Sequence, residues 1–452
     1  MTKTNNFTEG RIFLPLIKFA IPVLFALFLQ ALYGAVDLLI VGQFGGENAE
    51  VYVSAVSTGS QLMHTVTIVI TSLAMGLTVF VGRKIGARQN EEAGKIIGSG
   101  IFLFAVIGLA VTVVMVLAAT PLADIMKAPK EAFSDTVKYI VICSLGAVFI
   151  VAYNLEGSIF RGIGDSKIPL ITVAIACVLN IFGDLLLVAV LHMGAAGAAI
   201  ATVFAQAVSV LLSLVVIRHR SLPFDFSLKY IRPNAAYIKE IIRIGTPIAL
   251  QELLVGISFL VIIAIVNNIG LTESAGIGVA EKMCGFIMLI PSSFMQSMSA
   301  FVAQNIGADK PDRAKKALLC GIVSSLVAGI VIGAFSFFKG DILAGIFAKD
   351  TDVILSAWDY LKAYAIDCLL TAFLFCFIGY FNGCSCTTFV MLQGMIGAFG
   401  VRLPLCWLIS RFTKSLFLIG LATPSSTVIQ ICLCFIYLFI LTKRQKIQHK
   451  EG

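Results

Sequence analysis

The stretch FVGRKIGARQNEEAGK (residues 80–95) returns 221 residues later as FVAQNIGADKPDRAKK (301–316), with seven of sixteen positions identical. At the same offset SIFRGIGDSKIP (158–169) overlies GYFNGCSCTTFV (379–390), each a short Gly-containing turn between long apolar runs. The runs are what the turns connect. With 59% hydrophobic and 13% charged residues and a mean hydropathy of +0.98, most of the chain has to lie in lipid. Stretches long enough to cross a bilayer, about 20 helical residues, fall at roughly 15–41, 54–81, 96–119, 135–157, 168–190, 194–217, 240–267, 279–304, 317–338, 357–382, 388–410 and 416–442. Their period is helical, whereas barrel strands would alternate at every second residue. The start, MTKTNNFTEGRIFLPLIKFA, has no short apolar core with a small-residue cleavage site, so a removed signal peptide is not expected.

The expected fold is therefore an all-α polytopic membrane protein of twelve transmembrane helices in two six-helix lobes. The N-lobe takes residues 1–217, the C-lobe 240–452, and the charged stretch between them (218–239), with Pro223 and Pro233, reads as a cytoplasmic linker. An even number of helices per copy makes both copies run the same way, related by a pseudo-two-fold axis along the membrane normal. Lys and Arg gather in every second connection: Lys3, Arg11 and Lys18; Arg83, Lys84, Arg88 and Lys95; Arg161 and Lys167; the 218–239 and 305–316 loops; and the tail. The positive-inside bias then places both termini in the cytoplasm. The net charge of +8 is mostly this signal, and no basic cluster accompanies a recognition motif that would point to nucleic acid.

Inside the fifth apolar run, LNIFGDLLLV (179–188) carries Asn180 and Asp184. The repeat serves as an internal control, because the offset places Val401 opposite Asn180 and Leu405 opposite Asp184, so the fold itself does not demand the polar pair. In the first helix Gln30, Tyr33 and Asp37 share a face by their spacing of three and four, and aligning Pro22 with Pro247 puts Ile262 opposite Asp37. A carboxylate near the bilayer centre costs about 2.5–3.5 kcal/mol on insertion scales. Two that approach each other are expected to titrate as a coupled pair and to hold a proton or a small cation. A plain interhelical hydrogen bond, worth about 1 kcal/mol, could be made more cheaply with Ser or Asn.

Together, ALYGAVDLLIVGQFG, GRKIGARQNEEAGK, AQNIGADKPDRAKK, RGIGDSKIPL and LNIFGDLLLV resemble the multidrug and toxic compound extrusion family over nearly the whole chain. The segments QELLVGISFL, GVAEKMCGFIMLIPSSF and GYFNGCSC are similar to its bacterial branch that includes staphylococcal-type pumps. The resemblance implies a monomeric, multi-pass protein of the plasma (inner) membrane that exports organic, mostly cationic and aromatic drugs in exchange for H+ or Na+ by alternating access, without a cofactor. Carried over residue by residue, the cation site, whether for H+ or Na+, falls on Asp37, Asn180, Asp184 and Thr202, with the Ala198 carbonyl as a further ligand. Where other members carry an acidic residue in the seventh helix this chain has Val255, and Glu252 lies one turn earlier.

Gln30, Tyr33, Gln61, His64, Gln251, Glu252, Met288 and Gln296 are candidates for lining a substrate cavity. Ser57, Thr65 and Thr71, and Ser292, Ser293 and Ser299, have the alternative of bonding to their own helix backbone. The run GAAGAAIATVFA (194–205) lets the sixth span approach a neighbour closely and bring Thr202 to the Asp pair. Asp367 is expected at a helix end or paired, Glu281 and Lys282 near the membrane interface, and Arg402 has no evident partner. An enzyme is not expected, since the four histidines are scattered and no HExxH or GxSxG occurs. A flippase for a lipid-linked or other amphipathic metabolite is the alternative, but a pyrophosphate head calls for a cationic cavity and the buried charge of the first lobe is acidic.

Overall fold

The computed structural model describes residues 7–219, 222–224 and 226–451, so Lys3 and, within the charged linker, Arg220, Ser221 and Asp225 lie outside the described residues. Among the described residues every regular element is helical. The order is α1 (Phe13–Phe44), α2 (Ala49–Gly86), α3 (Asn90–Ile125), α4 (Phe133–Leu145), α5 (Ala147–Gly162), α6 (Lys167–Asp184), α7 (Gly194–His219) and α8 (Ala235–Asn267). There follow α9 (Leu271–Ile287), α10 (Leu289–Gly307), α11 (Pro311–Gly345), α12 (Thr351–Gly383), α13 (Thr387–Met395), α14 (Leu403–Ser410), α15 (Leu416–Gly420) and α16 (Ala422–Glu451). Among the described residues eleven segments are long and apolar enough to cross a membrane, and the bent pair α4–α5 makes up to twelve. That pair turns by 52° at Gly146, where a Cβ would sit 2.4 Å from Val203 Cγ1 of α7. Glycine at the bend lets α7 pass against it.

The described residues form two compact units. One holds 7–10, 18–249 and 303–310; the other holds 11–17, 250–302 and 311–451. The first unit's core includes Ile40, Val41, Tyr139, Val188, Ala198 and Ala199. The second is built around Ile262, Ile277, Tyr360, Leu361, Tyr364 and Cys406.

The duplication is visible in the backbone at the sequence offset. Arg88 (φ +58°) and Asp309 (φ +56°) are both left-handed, as are Gly164 (φ +85°) and Ser385 (φ +60°). Hydrogen bonding matches atom for atom: Ala87, Arg88 and Gln89 N–H donate to the carbonyls of Arg83, Ile85 and Lys84, and Ala308, Asp309 and Lys310 N–H to those of Gln304, Ile306 and Asn305. Each is a left-handed helix cap. At Arg88, Asp309 and Ser385 a side chain occupies the conformation that costs an L-residue about 1–2 kcal/mol.

Two expectations change and a third is decided between its alternatives. The eighth span begins at Leu271, not near 279, which puts Glu281 ten residues inside α9 rather than at an interface-facing start. Asp367, expected at a helix end or paired, sits in mid-α12 with 3% exposure and takes the paired setting, with Thr427 and Arg402 beside it. Arg402 has partners: its Nη1 donates to Ser258 Oγ at 3.2 Å and its guanidinium lies 4.5 Å from the centroid of the Phe259 ring.

Candidate functional site

Asn180 and Asp184 stand one turn apart on the same face of α6, and the Asn180 Nδ2 donates to Asp184 Oδ2 at 3.2 Å. Directly after Asp184 the backbone widens into a π-helical stretch, Leu185–Val190, a feature that often marks functional positions in helices. Small residues bring α7 alongside: a Cβ on Gly183 would lie 2.9 Å from the Ala201 Cβ. Next to Ala201, the Thr202 hydroxyl is 3.0 Å from the Ala198 carbonyl oxygen and 3.3 Å from Asp37 Oδ2. Its single proton serves one acceptor at a time. Asp37 arrives from α1, and its carboxyl comes within hydrogen-bonding reach of Asp184. The structure thus brings together all five positions of the candidate cation site.

The site is buried and short of side-chain donors. Asp37, Asn180 and Asp184 are 4%, 2% and 0% exposed. The Oδ1 atoms of all three are buried without a hydrogen-bond partner. Unpaired buried acceptors are costly, about 1–3 kcal/mol each and more when charged. Two touching carboxylates add repulsion unless something positive lies between them. A proton or a hard cation on oxygen ligands satisfies both demands.

Around this centre Gln30 Nε2 donates to the Tyr153 hydroxyl at 3.0 Å, and the Gln206 side chain meets the Tyr33 hydroxyl. On α2, Gln61 and His64 are exposed. Thr65 bonds back to the Gln61 carbonyl at 3.0 Å, and Thr71 to the Thr67 carbonyl and to Asn154 Oδ1. In the second unit Ser293 and Ser299 also bond to their own helix. Gln251 and Gln296 are buried at 5% and 7% exposure, and Gln251 packs against Gly394. Glu252 is half-buried, and Met288 packs on the second unit's core.

Two groups escaped the sequence reading. In the second unit the Tyr360 hydroxyl meets Glu281 Oε1 at 3.4 Å, and Arg402 interacts electrostatically with Asp367 and Glu281. In the first, Glu156 of α5 is 8% exposed, with an Oε2 that has no partner. The offset that singled out Asp184 would have found it, since Phe377 stands opposite Glu156.

Residues 22–186 and 247–408 match the model of the MatE family. The probable multidrug resistance protein YoeA of Bacillus subtilis is 24% identical over 450 residues, covering 94% of each chain. The multidrug export protein MepA of Staphylococcus saprophyticus is 24% identical over 394 residues, 86% of each chain. Among solved structures, MATE in complex with MaL6 superposes with a TM-score of 0.90 at 20% identity, over 99% of this chain and 100% of that one. A MOP superfamily transporter from Pyrococcus furiosus gives 0.90 at 20% identity, over 100% and 99%.

Proposed function

The chain belongs to the MatE family, and from that premise we propose that it is a secondary active exporter of organic cations, driven by inward movement of H+ or Na+ through the Asp37–Asp184 site. The observation that carries this reading is the meeting of two membrane-embedded carboxyls with three unpaired buried oxygens. The names of the relatives, multidrug resistance and multidrug export proteins, support a drug-like substrate. In this reading the chain works as a monomer in the plasma membrane with both termini in the cytoplasm. Asp37 and Asp184 take the ion from outside while Asn180, Thr202 and the Ala198 carbonyl complete its oxygen shell; neutralising the pair rearranges α1 about Pro22 and releases the drug. Inside, the ion leaves as a new substrate enters. Membrane potential supplies about 2.3 kcal/mol per charge per 100 mV, so exchanging more than one ion for each monovalent drug gains from it and one-for-one exchange does not.

The test is accumulation of a fluorescent lipophilic cation in cells lacking their own efflux pumps. Expression of the wild type is expected to lower accumulation, and Asp37→Asn or Asp184→Asn, made at equal membrane abundance, to abolish the effect. Wild-type efflux in either variant overturns the site; efflux of a lipid-linked sugar analogue but of no drug would favour a flippase.

A further inference from the structure

Glu156 is the one carboxylate of α5, a helix otherwise devoid of acidic residues. The helices against it are neutral where they pass: α2 over 71–78, α3 over 97–104, α6 over 168–176 and α7 over 209–216 carry no Asp, Glu, Lys, Arg or His. The groups facing it are Ser213 of α7, its hydrogen-bond partner, and the Tyr153 phenol one turn back. Arg161, the nearest cation on its own helix, folds back to Ser158 at 3.0 Å and lies against Gly157, yet forms no ion pair with Glu156 among the described contacts. With Oε2 unpartnered, the carboxylate is left for something outside the protein's own side chains to neutralise.

Its depth is informative. Glu156 lies six residues before the end of α5 at Gly162, and Ser213 six before the end of α7 at His219. Both are about 9 Å of helical rise from the face that carries the basic Arg161–Lys167 loop. Thr202, at the Asp pair, precedes Ser213 by eleven residues, about 16 Å along α7. The interval holds Tyr33 with Gln206 and Gln30 with Tyr153, hydroxyls and amides able to order a proton path. The α7 stripe Thr202–Gln206–Ser209–Ser213 has a polar counterpart in the second repeat (Thr423, Thr427, Gln430 and Cys434), so the stripe belongs to the fold. The carboxylate does not, because Phe377 replaces it there.

We propose that Glu156 is a second proton station of the first lobe, lying between the Asp37–Asp184 pair and the basic-loop face. A proton leaving the pair bonds to a Glu156 carboxylate oxygen, and Glu156 then gives that proton to water at the basic-loop face and returns to its charged form with Ser213 as donor. No co-reactant enters and no charge is left over. This rests on the proton-driven form of the export reading above.

The experiment uses the full chain in proteoliposomes, with a pH gradient driving transport of a fluorescent lipophilic cation, and compares wild type, Glu156→Gln, Glu156→Asp and Asp184→Asn. Glu156→Gln keeps size and hydrogen-bonding capacity, so it is expected to bind the probe at equilibrium as the wild type does. Its pH-driven turnover should fall by about a hundredfold, the low end of what a positioned acid–base group contributes. The rate should also lose its dependence on pH at the basic-loop side, and Glu156→Asp should restore most of both. A protonated-carboxyl infrared band present in wild type and absent in Glu156→Gln is the spectroscopic counterpart. Wild-type turnover and pH profile in Glu156→Gln, with Asp184→Asn inactive, overturn the proton station alone. A wild type unmoved by any pH gradient overturns the proton-driven form of the export reading and the station with it, and Asp184→Asn transporting normally overturns the Asp37–Asp184 site on which both rest.

Discussion

Gly183→Ala tests whether the candidate site depends on how closely α6 and α7 approach. A Cβ at Gly183 falls 2.9 Å from the Ala201 Cβ, against an optimum carbon–carbon separation of about 3.5–4.0 Å, so the helices must part locally by roughly 0.6–1.1 Å. Thr202 adjoins Ala201, and its hydroxyl is already 3.3 Å from Asp37 Oδ2. A shift of that size takes it beyond the roughly 3.5 Å at which a direct hydrogen bond is lost, leaving the hydroxyl to the Ala198 carbonyl. Overpacking should cost about 1–3 kcal/mol of stability. The lost bond stabilises the charged, proton-free carboxylate and is worth about 1.5–3 kcal/mol, so its loss corresponds to about 10–150-fold tighter binding of a coupling proton. The assay is the ion concentration giving half-maximal efflux in proteoliposomes. Under a pH gradient Gly183→Ala should lower the half-maximal proton concentration by that factor, and Gly183→Ala with Ala201→Gly, which moves the methyl group from α7 to α6, should bring it back. Unchanged ion dependence in the single variant, or no recovery in the double one, would refute the reasoning.

Other substitutions probe other parts of the account. Gly86 and Gly307 cross reciprocally, a Cβ on either meeting the backbone carbonyl of Gln304 or Arg83; Gly86→Ala and Gly307→Ala should each lower the melting temperature and the yield of folded protein, since a backbone carbonyl cannot step aside as a side chain does. Arg402→Met leaves Asp367 and Glu281 without their buried cation and should cost about 3–5 kcal/mol, part of which Asp367→Asn should recover; purely additive melting shifts would show that the three groups do not interact. Thr202→Val retains shape but removes the hydroxyl, and should lower the half-maximal proton concentration as Gly183→Ala does, without the packing penalty, measured by the same titration.

Much of the fold was legible because lipid leaves few choices: long apolar runs become helices, and the 221-residue repeat recurs in the left-handed residues Arg88 and Asp309, Gly164 and Ser385. Asp37, Asn180 and Asp184 were legible because polar groups in apolar runs stand out and their repeat counterparts are apolar, while the resemblance to the extrusion family supplied the grouping with Thr202. Hydropathy was blind to the start of α9, where the polar residues of LTESAGIGVAEK (271–282) hide a helix that continues past them. It was equally blind to the bend at Gly146, whose close neighbour Val203 belongs to another helix. The partners of Arg402 and Asp367 come from segments more than thirty residues away, so no local pattern announces them. Glu156 was within reach of the offset comparison, since Phe377 stands opposite it.

The central claim, that Asp37 and Asp184 couple export to an ion, is tested most directly by efflux of a fluorescent lipophilic cation from proteoliposomes. Wild type and Asp184→Asn are compared under an imposed pH gradient and, separately, an imposed sodium gradient. The account predicts that at least one gradient drives the wild type and that neither drives Asp184→Asn. Gradient-driven export by Asp184→Asn at the wild-type rate, or wild-type export indifferent to both gradients, would contradict it.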